Sequence, residues 1–506
     1  MATSRPKTFT LENINPNIVN VQYAVRGEIP TVAGDYESEI ERGQGSKLPF
    51  SSIIWTNIGN PQLMPDLAQP PLTFWRQVAA LTEYPHLLDA EAMPSEVRDK
   101  VFPADAQQRA RELLGAFGSV GAYTPSKGTP LVRQRVADFL KRRDGYAEDI
   151  ENIYLTAGAS AGIALLFQLL FRPGQDGVLI PIPQYPLYSA TLSLLNVHAL
   201  HYELDSDQHW DPAMASLEDQ VTSARKAGVA PRALVVINPG NPTGACMTLE
   251  QIRAVLRFAH KQGLALFADE VYQQNIYQTE RPFISFRKAL LDLGKSDDPD
   301  DRAASAQVEL VSLHSISKGV SGECGRRGGY FQLQNMDADV EAQVNKIASV
   351  HLCPPTQGQI GVDMLVNPPR EGDASYPLWR KETNAIRDTL KRRGEDMAAH
   401  FSKLPGVDCE RAMGAMYLFP RVHLSKAAWD RAESVGKKVD ELYCRELLDL
   451  TGICVVPGAG FGKEPQRLPD GTSYSFFRTT MLAKATDQFI ERYCDFHREF
   501  VAKYHD

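Results

Sequence analysis

The chain has 506 residues, with 54 Lys and Arg against 62 Asp and Glu, giving a formal charge of −8. That length accommodates two or three domains, and the acidic balance gives no general electrostatic footing for nucleic acid or an anionic membrane. Apolar residues make up 43% and charged ones 23%, an ordinary globular mixture; seven cysteines without a C-x-x-C pair argue against a disulfide framework or zinc ribbon and for a reducing compartment.

Residues 1–50 are polar and are expected to form an arm that crosses something larger. The opening MATSRPKTFTLEN has two basic residues and no apolar core, so it is not expected to be a secretory signal. The cytoplasm is the expected location, with a processed mitochondrial form as the alternative. No run reaches the 18 or more apolar residues of a membrane span. Thr129-Pro130, with proline in the first turn, opens a helix that runs to Gly145. Short apolar runs then alternate with helical patterns. Tyr154–Thr156, Gly177–Ile180, Ala233–Ile237, Leu264–Ala268, Glu309–Leu313 and Tyr330–Leu333 read as strands of a mostly parallel sheet in an α/β domain.

Thr248-Leu-Glu-Gln251 is a capping box, followed by apolar residues at helical spacing and by Gly263 as a left-handed cap. Residues 294–307 (GKSDDPDDRAASAQ) read as a solvated insertion loop, not a metal site, and no metal is expected elsewhere. From about residue 375 charge density rises and long helices dominate. The last, Asp487–Tyr504, carries a core-facing stripe of Phe489, Ile490, Tyr493 and Phe496. The division expected is an arm (1–50), a small-domain and interdomain segment (51–110), a large domain (111–375) and a C-terminal small domain (376–506).

In parallel α/β sheets, ligands sit beyond the carboxyl ends of the strands. The polar residues there are Ala159 and Ser160 at a helix start, Tyr185, Asn241, Asp269 with Tyr272, Ser315 with Lys318, and Arg327. This set suits a phosphorylated heteroaromatic aldehyde. A helix N-terminus offers an anion only about 0.3–1 kcal/mol, so a dianion needs charge-assisted bonds as well, from a group such as Arg327. Asp269 follows an apolar run, where a carboxylate needs a cationic partner or a helix to cap. A pyridinium N–H would satisfy it. Lys318 ends a strand among small residues and can serve as a Schiff-base lysine.

Asn241-Pro-Thr-Gly, Ala268-Asp-Glu-Val-Tyr272, Ser315-Ile-Ser-Lys318 and Arg327-Gly-Gly-Tyr330 resemble the motifs of the class I/II, fold-type I pyridoxal-phosphate aminotransferases. Further segments, among them Gly121–Gly128, Ile180–Tyr188, Gly414-Ala-Met-Tyr417 and Gly452–Gly458, resemble the alanine aminotransferase group, in order from about Val21 to the end. The resemblance implies an aspartate-aminotransferase-like fold, a large mostly parallel-sheet domain beside a smaller α+β domain. It implies pyridoxal 5'-phosphate as cofactor and a homodimer with shared active sites. Lys318 would hold the cofactor and move the proton, Asp269 would pair with its ring nitrogen, and Asn241 and Tyr272 would bond its phenolic oxygen. Tyr185 would stack on the ring. Ala159, Ser160, Ser315 and Arg327 would bind the phosphate, joined by Tyr123 of the second subunit. Arg478 would clamp the substrate α-carboxylate and Gly59 would let backbone approach it, the smaller domain closing over both.

The reaction implied is reversible ping-pong transfer between L-alanine and 2-oxoglutarate. A transaminase of other amino acids, such as a glyoxylate or aromatic one, a lyase of the same fold, and a binding module that keeps the fold are the alternatives. Arg326, beside Arg327, is expected to be solvated. Gly458–Lys463 lacks the Walker spacing and is expected to be a flexible turn, and Cys324 and Cys353 are expected to be small buried residues.

Overall fold

The computed structural model describes residues 8–19, 21, 27–62, 69–483 and 486–505. The basic start of the chain, and residues 20 and 22–26 of the expected arm, lie outside the described residues. Glu28–Glu41 is a helix, α1, that buries Ile29 and Ala33 with Val32 and Tyr36 packed beside them. Its polar face is tied to the C-terminal part of the chain: Tyr36 donates to Asp449 at 2.8 Å, and Lys437 and Arg445 both pair with Glu28. The helical spacing 29, 32, 33, 36 carried that information, diluted by the charged residues between.

Helix α2, Pro130–Asp144, starts on its proline and stops at Gly145 with φ +85°, as the turn chemistry requires. The main sheet then builds from β1 (Ile153–Thr156), β2 (Asp176–Ile182), β3 (His198–Asp205), β4 (Ala230–Ile237), β5 (Ala265–Asp269), β6 (Leu310–Ser315) and β7 (Gly329–Gln334). Their spatial order is β1-β7-β6-β5-β4-β2-β3, with Asp211–Pro212 added beyond β3. The five strands β6, β5, β4, β2 and β3 run parallel, while β7 is antiparallel to both of its neighbours. All six expected strands are present. Strand β3 was not expected: it alternates buried and exposed residues through Leu200–Glu203 and lacks the continuous apolar run of its neighbours.

Helices cover both faces. On one lies α3 (Ala159–Leu170), whose Ile163 and Leu166 pack on Phe267 and Val235. On the other lies α4 (Leu249–Gln262), whose Ile252, Val255 and Leu256 pack on Leu234, Leu266 and Ala268. Both halves of the α4 capping box form, and Gly263 takes φ +64°.

The expected loop at 294–307 is instead largely a helix, α5 (Pro299–Gln307). Asp298 caps it by accepting from the Asp300 N–H at 2.9 Å. Asp301 is 3% exposed and takes two bonds from Arg257, at 2.6 and 2.9 Å. The Asp-Pro-Asp-Asp start is an N-terminal helix signature hidden inside an acidic run.

Beyond the sheet, α6 (Thr356–Val366) and the 26-residue α7 (Tyr376–Phe401) lead to the C-terminal region. There β8 (Arg421–Leu424) and β9 (Ser473–Thr480) pair antiparallel. Four strands pair with β9, three of them two-residue pieces, so it is the hub of this smaller sheet. Helices α8 (Val439–Thr451) and α9 (Thr486–Lys503) cover it. Phe489, Ile490, Tyr493 and Phe496 of α9 are buried in one core with α1, α2 and α8, as their spacing predicts.

Candidate active site

Register brings the chemistry together. Ile237 pairs with Asp269, Asp269 with Leu313, Ser315 with Gly329, and Gly329 with Thr156, so the last residues of β4, β5, β6 and β1 meet the start of β7 along one edge. A cavity of about 220 Å³ opens at that edge. Gly59, Ala159, Ser160, Tyr185, Asn241, Asp269, Tyr272, Ser315, Lys318, Arg327 and Arg478 all line it. Tyr123 does not; its side chain is 79% exposed on the surface.

Alternation along β5 points Asp269 to the same side as Phe267, towards α3. There its carboxylate accepts from the Tyr188 hydroxyl at 2.7 Å and from the Val271 N–H at 3.4 Å. Among the described residues no Lys or Arg forms an ion pair with it. Burial pushes this carboxyl above its ordinary range, while the bonds from Tyr188 and Val271 and the charge of Lys318 oppose that rise.

Lys318 sits on the turn after β6. Asn275 Oδ1 accepts from the Gly319 N–H at 2.9 Å, and Ser321 donates to the Lys318 carbonyl at 2.9 Å, which fixes the backbone on both sides of the lysine. Its Nζ donates to the Gly59 carbonyl at 2.6 Å. A Cβ on Gly59 would lie 2.1 Å from the Tyr417 hydroxyl and 3.2 Å from Lys318 Nζ, so only glycine lets that backbone come so close.

At the other end Arg327 has φ +52° and fans across the start of α3. Its Nη2 donates to the Ala157 carbonyl at 3.0 Å and to Ser160 Oγ at 3.2 Å, and its Nη1 to the Cys324 carbonyl at 3.0 Å. Gly158, at φ +88°, makes room: a Cβ there would stand 2.5 Å from Arg327 Nη2. Ser315 Oγ lies 2.9 Å from Ser317 Oγ and 3.1 Å from the Gly328 carbonyl. Hydroxyls, a guanidinium and a helix start thus converge on one anion-sized corner. Arg326, expected to be solvated, has a side chain 29% exposed that also pairs with the buried Glu323 at 3.1 Å, and it takes no part in the cavity.

Arg478, expected to clamp the substrate α-carboxylate, is 1% exposed in the middle of the small sheet. Its guanidinium carbon lies over the Tyr417 ring at 4.4 Å and the Phe461 ring at 4.7 Å. Nη1 donates to Asn241 Oδ1 at 2.9 Å, Nη2 donates to the Asn57 carbonyl, and Nε has no partner among the described residues.

Sequence reasoning passed over several residues here. Tyr188 and Tyr417 stood inside quoted motifs without roles. Tyr417 Oη lies 2.9 Å from Tyr272 Oη. Burial alone would raise the Tyr417 phenol, but the charges of Lys318 and Arg478 outweigh it and hold it below its ordinary value, whereas burial and Tyr417 push Tyr272 well above. Phe461, in the Gly458–Lys463 segment expected to be a flexible turn, is a buried floor under Arg478 on the 3-10 turn Gly458–Phe461. Cys324 is a half-buried wall residue whose Sγ lies 3.3 Å from Asn60 Oδ1, and Cys353 is half-buried too, so neither is the fully buried filler expected.

The arrangement joins an anion corner, an amine, a buried carboxylate that lacks a cation, and a buried guanidinium with an unused N–H. Comparison with known proteins agrees with that chemistry. A family model described as Aminotransferase class I and II matches residues 87–496. The chain is 44% identical over 505 residues to a probable mitochondrial alanine aminotransferase of Dictyostelium discoideum, covering 98% of this chain and 90% of that one. It is 42% identical over 501 residues to glutamate–glyoxylate aminotransferase 1 of Arabidopsis thaliana, covering 98% of each. Among solved structures, an aminotransferase from Escherichia coli superposes with a TM-score of 0.70 at 22% identity, over 97% of this chain and 98% of that one.

Proposed function

The chain belongs to the class I and II aminotransferases, and on that premise we propose that it exchanges an amino group between L-alanine and 2-oxoglutarate, giving pyruvate and L-glutamate. Pyridoxal phosphate is the cofactor, and the residues present fit it. Asp269 is buried without a cation, which a protonated ring nitrogen supplies. Gly158 leaves Arg327 space that any Cβ would fill, and Arg327, Ser160 and Ser315 suit a phosphate. The uncompensated Asp269 carboxylate beside the Lys318 amine carries this reading.

When bound, the cofactor supplies an electron-withdrawing ring that carries the amino group between the two substrates. The chain's own residues do the rest. Lys318 would hold the cofactor by its amine, and the same amine, when free, would be the base that takes the substrate Cα proton, a role typically worth about 10²–10⁴-fold. Asp269 keeps a proton on the ring nitrogen. Asn241 and Tyr272 would hold the ring's phenolic oxygen, and Tyr185 would stack on the ring. Arg478 takes the substrate α-carboxylate through paired N–H groups, beside the backbone of Gly59.

The Arabidopsis relative supports a second reading in which glyoxylate is the acceptor. One experiment separates the two. The visible spectrum of the purified protein should convert to its amino form with L-alanine and return with 2-oxoglutarate. Return with glyoxylate alone would select the second reading; no response to L-alanine would end the first, and no response to L-glutamate either would end both.

The 79% exposure of Tyr123 outside its own chain's cavity supports a homodimer in which it completes the phosphate corner of the second copy. For location, the cytoplasm is the reading from the sequence, and the mitochondrial name of the Dictyostelium relative supplies the competing one. Fractionating cells that express the tagged chain decides between them.

A further inference from the structure

Between β3 and Asp211–Pro212 the chain turns back on itself, and there His209 and Trp210 have φ +54° and +63°. Two successive left-handed residues that carry side chains persist only where their surroundings hold them. The Trp210 N–H donates to the Asp205 carbonyl at 2.7 Å, and its indole packs on the smaller sheet, 5.0 Å from the Phe476 ring and 5.5 Å from Phe419. Trp210 is 7% exposed.

Both of those rings lead to Arg478. Phe476 stands two residues before it on β9, on the same side of the strand. Phe419 meets Phe461 edge-on at 5.9 Å, and Phe461 lies under the guanidinium. The indole also faces the other partner of that guanidinium: a narrow gap is lined by Trp210, Pro212, Gly240, Asn241 and Thr243, and Asn241 Oδ1 accepts from Arg478 Nη1. One side chain on the main-sheet connection thus abuts both halves of the bond. Polar ties surround it. Arg421 donates to Ser206 Oγ and to Asp207 at 2.6 Å each, His209 lies 2.9 Å from Glu410, and Lys463 pairs with Glu203 at 2.8 Å. Exposed pairs of this kind each contribute little, so the buried indole is the main link.

We propose that Trp210 is a positioning residue for the substrate carboxylate: carried by the turn beyond β3, it holds β9 and the Phe419–Phe461 pair in place and so fixes the Arg478 guanidinium against Asn241. It acts through Arg478 and touches neither cofactor nor substrate. The inference rests on Arg478 seating the α-carboxylate of an amino acid.

The test follows the spectrum of the protein loaded with pyridoxal phosphate as L-alanine is added, reading the half-saturating concentration and the limiting rate separately. Trp210→Ala should raise the former about tenfold or more, while the limiting rate and the dissociation constant for pyridoxal phosphate change less than about twofold. Trp210→Phe, which keeps an aromatic ring on the cluster, should recover most of the loss. Arg421→Gln, which leaves the indole in place and removes the ties to Ser206 and Asp207, should move the half-saturation the same way by less, and it carries the test if Trp210→Ala does not fold. Arg478→Lys is the control for the premise. If it leaves alanine binding unchanged, that premise falls and this inference with it. If Arg478→Lys weakens alanine but the Trp210 and Arg421 variants do not, only the present inference is overturned. Equal losses of alanine affinity, limiting rate and cofactor affinity overturn it too, since Trp210 would then serve the fold alone.

Discussion

Tyr188 and Asp269 are 81 residues apart in the chain, and the bond between their side chains is what makes a buried carboxylate tolerable. A bond to a charged group is worth about 1.5–3 kcal/mol, so Tyr188→Phe is expected to lower kcat/KM roughly tenfold to a hundredfold. Because that bond opposes the upward pull of burial, its loss should also move the acid limb of the pH profile to higher pH. An unmoved limb would mean that Asp269 does not set it. Tyr417 invites a different measurement. With its phenol held below the ordinary value by Lys318 and Arg478, it should be the first buried tyrosine to ionise in an ultraviolet pH titration of the cofactor-free protein. Tyr417→Phe should delete that first step and leave the later ones. Lys318, Asp269 and Arg327 were legible in the sequence because each stands in a local pattern at a strand end. Tyr188 and Tyr417 were not, because what matters about them is a partner 81 or 145 residues away.

The elements that carry the site were readable where their chemistry is local. Thr248, Gln251 and Gly263 declare both ends of α4, and proline and glycine declare those of α2. The small sheet was not readable: several of its strands are two residues long and exist only because β9 pairs with them. Helix α5 was overlooked since its capping aspartates also look like a solvated acidic run. At the joint between β1 and α3, Gly158 has φ +88° and no room for a side chain. Gly158→Ala is therefore expected to raise the dissociation constant for pyridoxal phosphate at least tenfold by displacing Arg327, with far-ultraviolet circular dichroism unchanged. Unaltered cofactor affinity would show that the guanidinium does not depend on this gap.

Across the whole molecule, two tests address assembly and stability. Lys318→Ala and Tyr123→Ala subunits should each be poorly active alone at limiting cofactor, yet mixing them should restore activity. The hybrid contains one site with both native residues, so failure to complement would remove the shared site. Directly behind Asp269, Glu270 is buried against Arg143 and the Phe286 N–H, and burial pushes its carboxyl up to about 7. The folded protein then holds a proton that the unfolded chain releases near 4.5, so this group's contribution to stability falls as pH rises from about 4.5 to about 7. Glu270→Gln should flatten that fall, as read by denaturation midpoints across the window.

Arg478 also has a consequence at this scale. It bonds the Asn57 carbonyl near one end of the chain and Asn241 beyond β4, from a strand near the other end. An incoming molecule must outbid contacts that the polypeptide already makes with itself. A full negative charge can do so, whereas a neutral group offers no more than the chain's own amide and carbonyl oxygens. Selectivity for free amino acids over their esters and amides is thus written into a competition that the folded chain wins by default: alanine methyl ester and alaninamide should leave the spectrum untouched where L-alanine changes it.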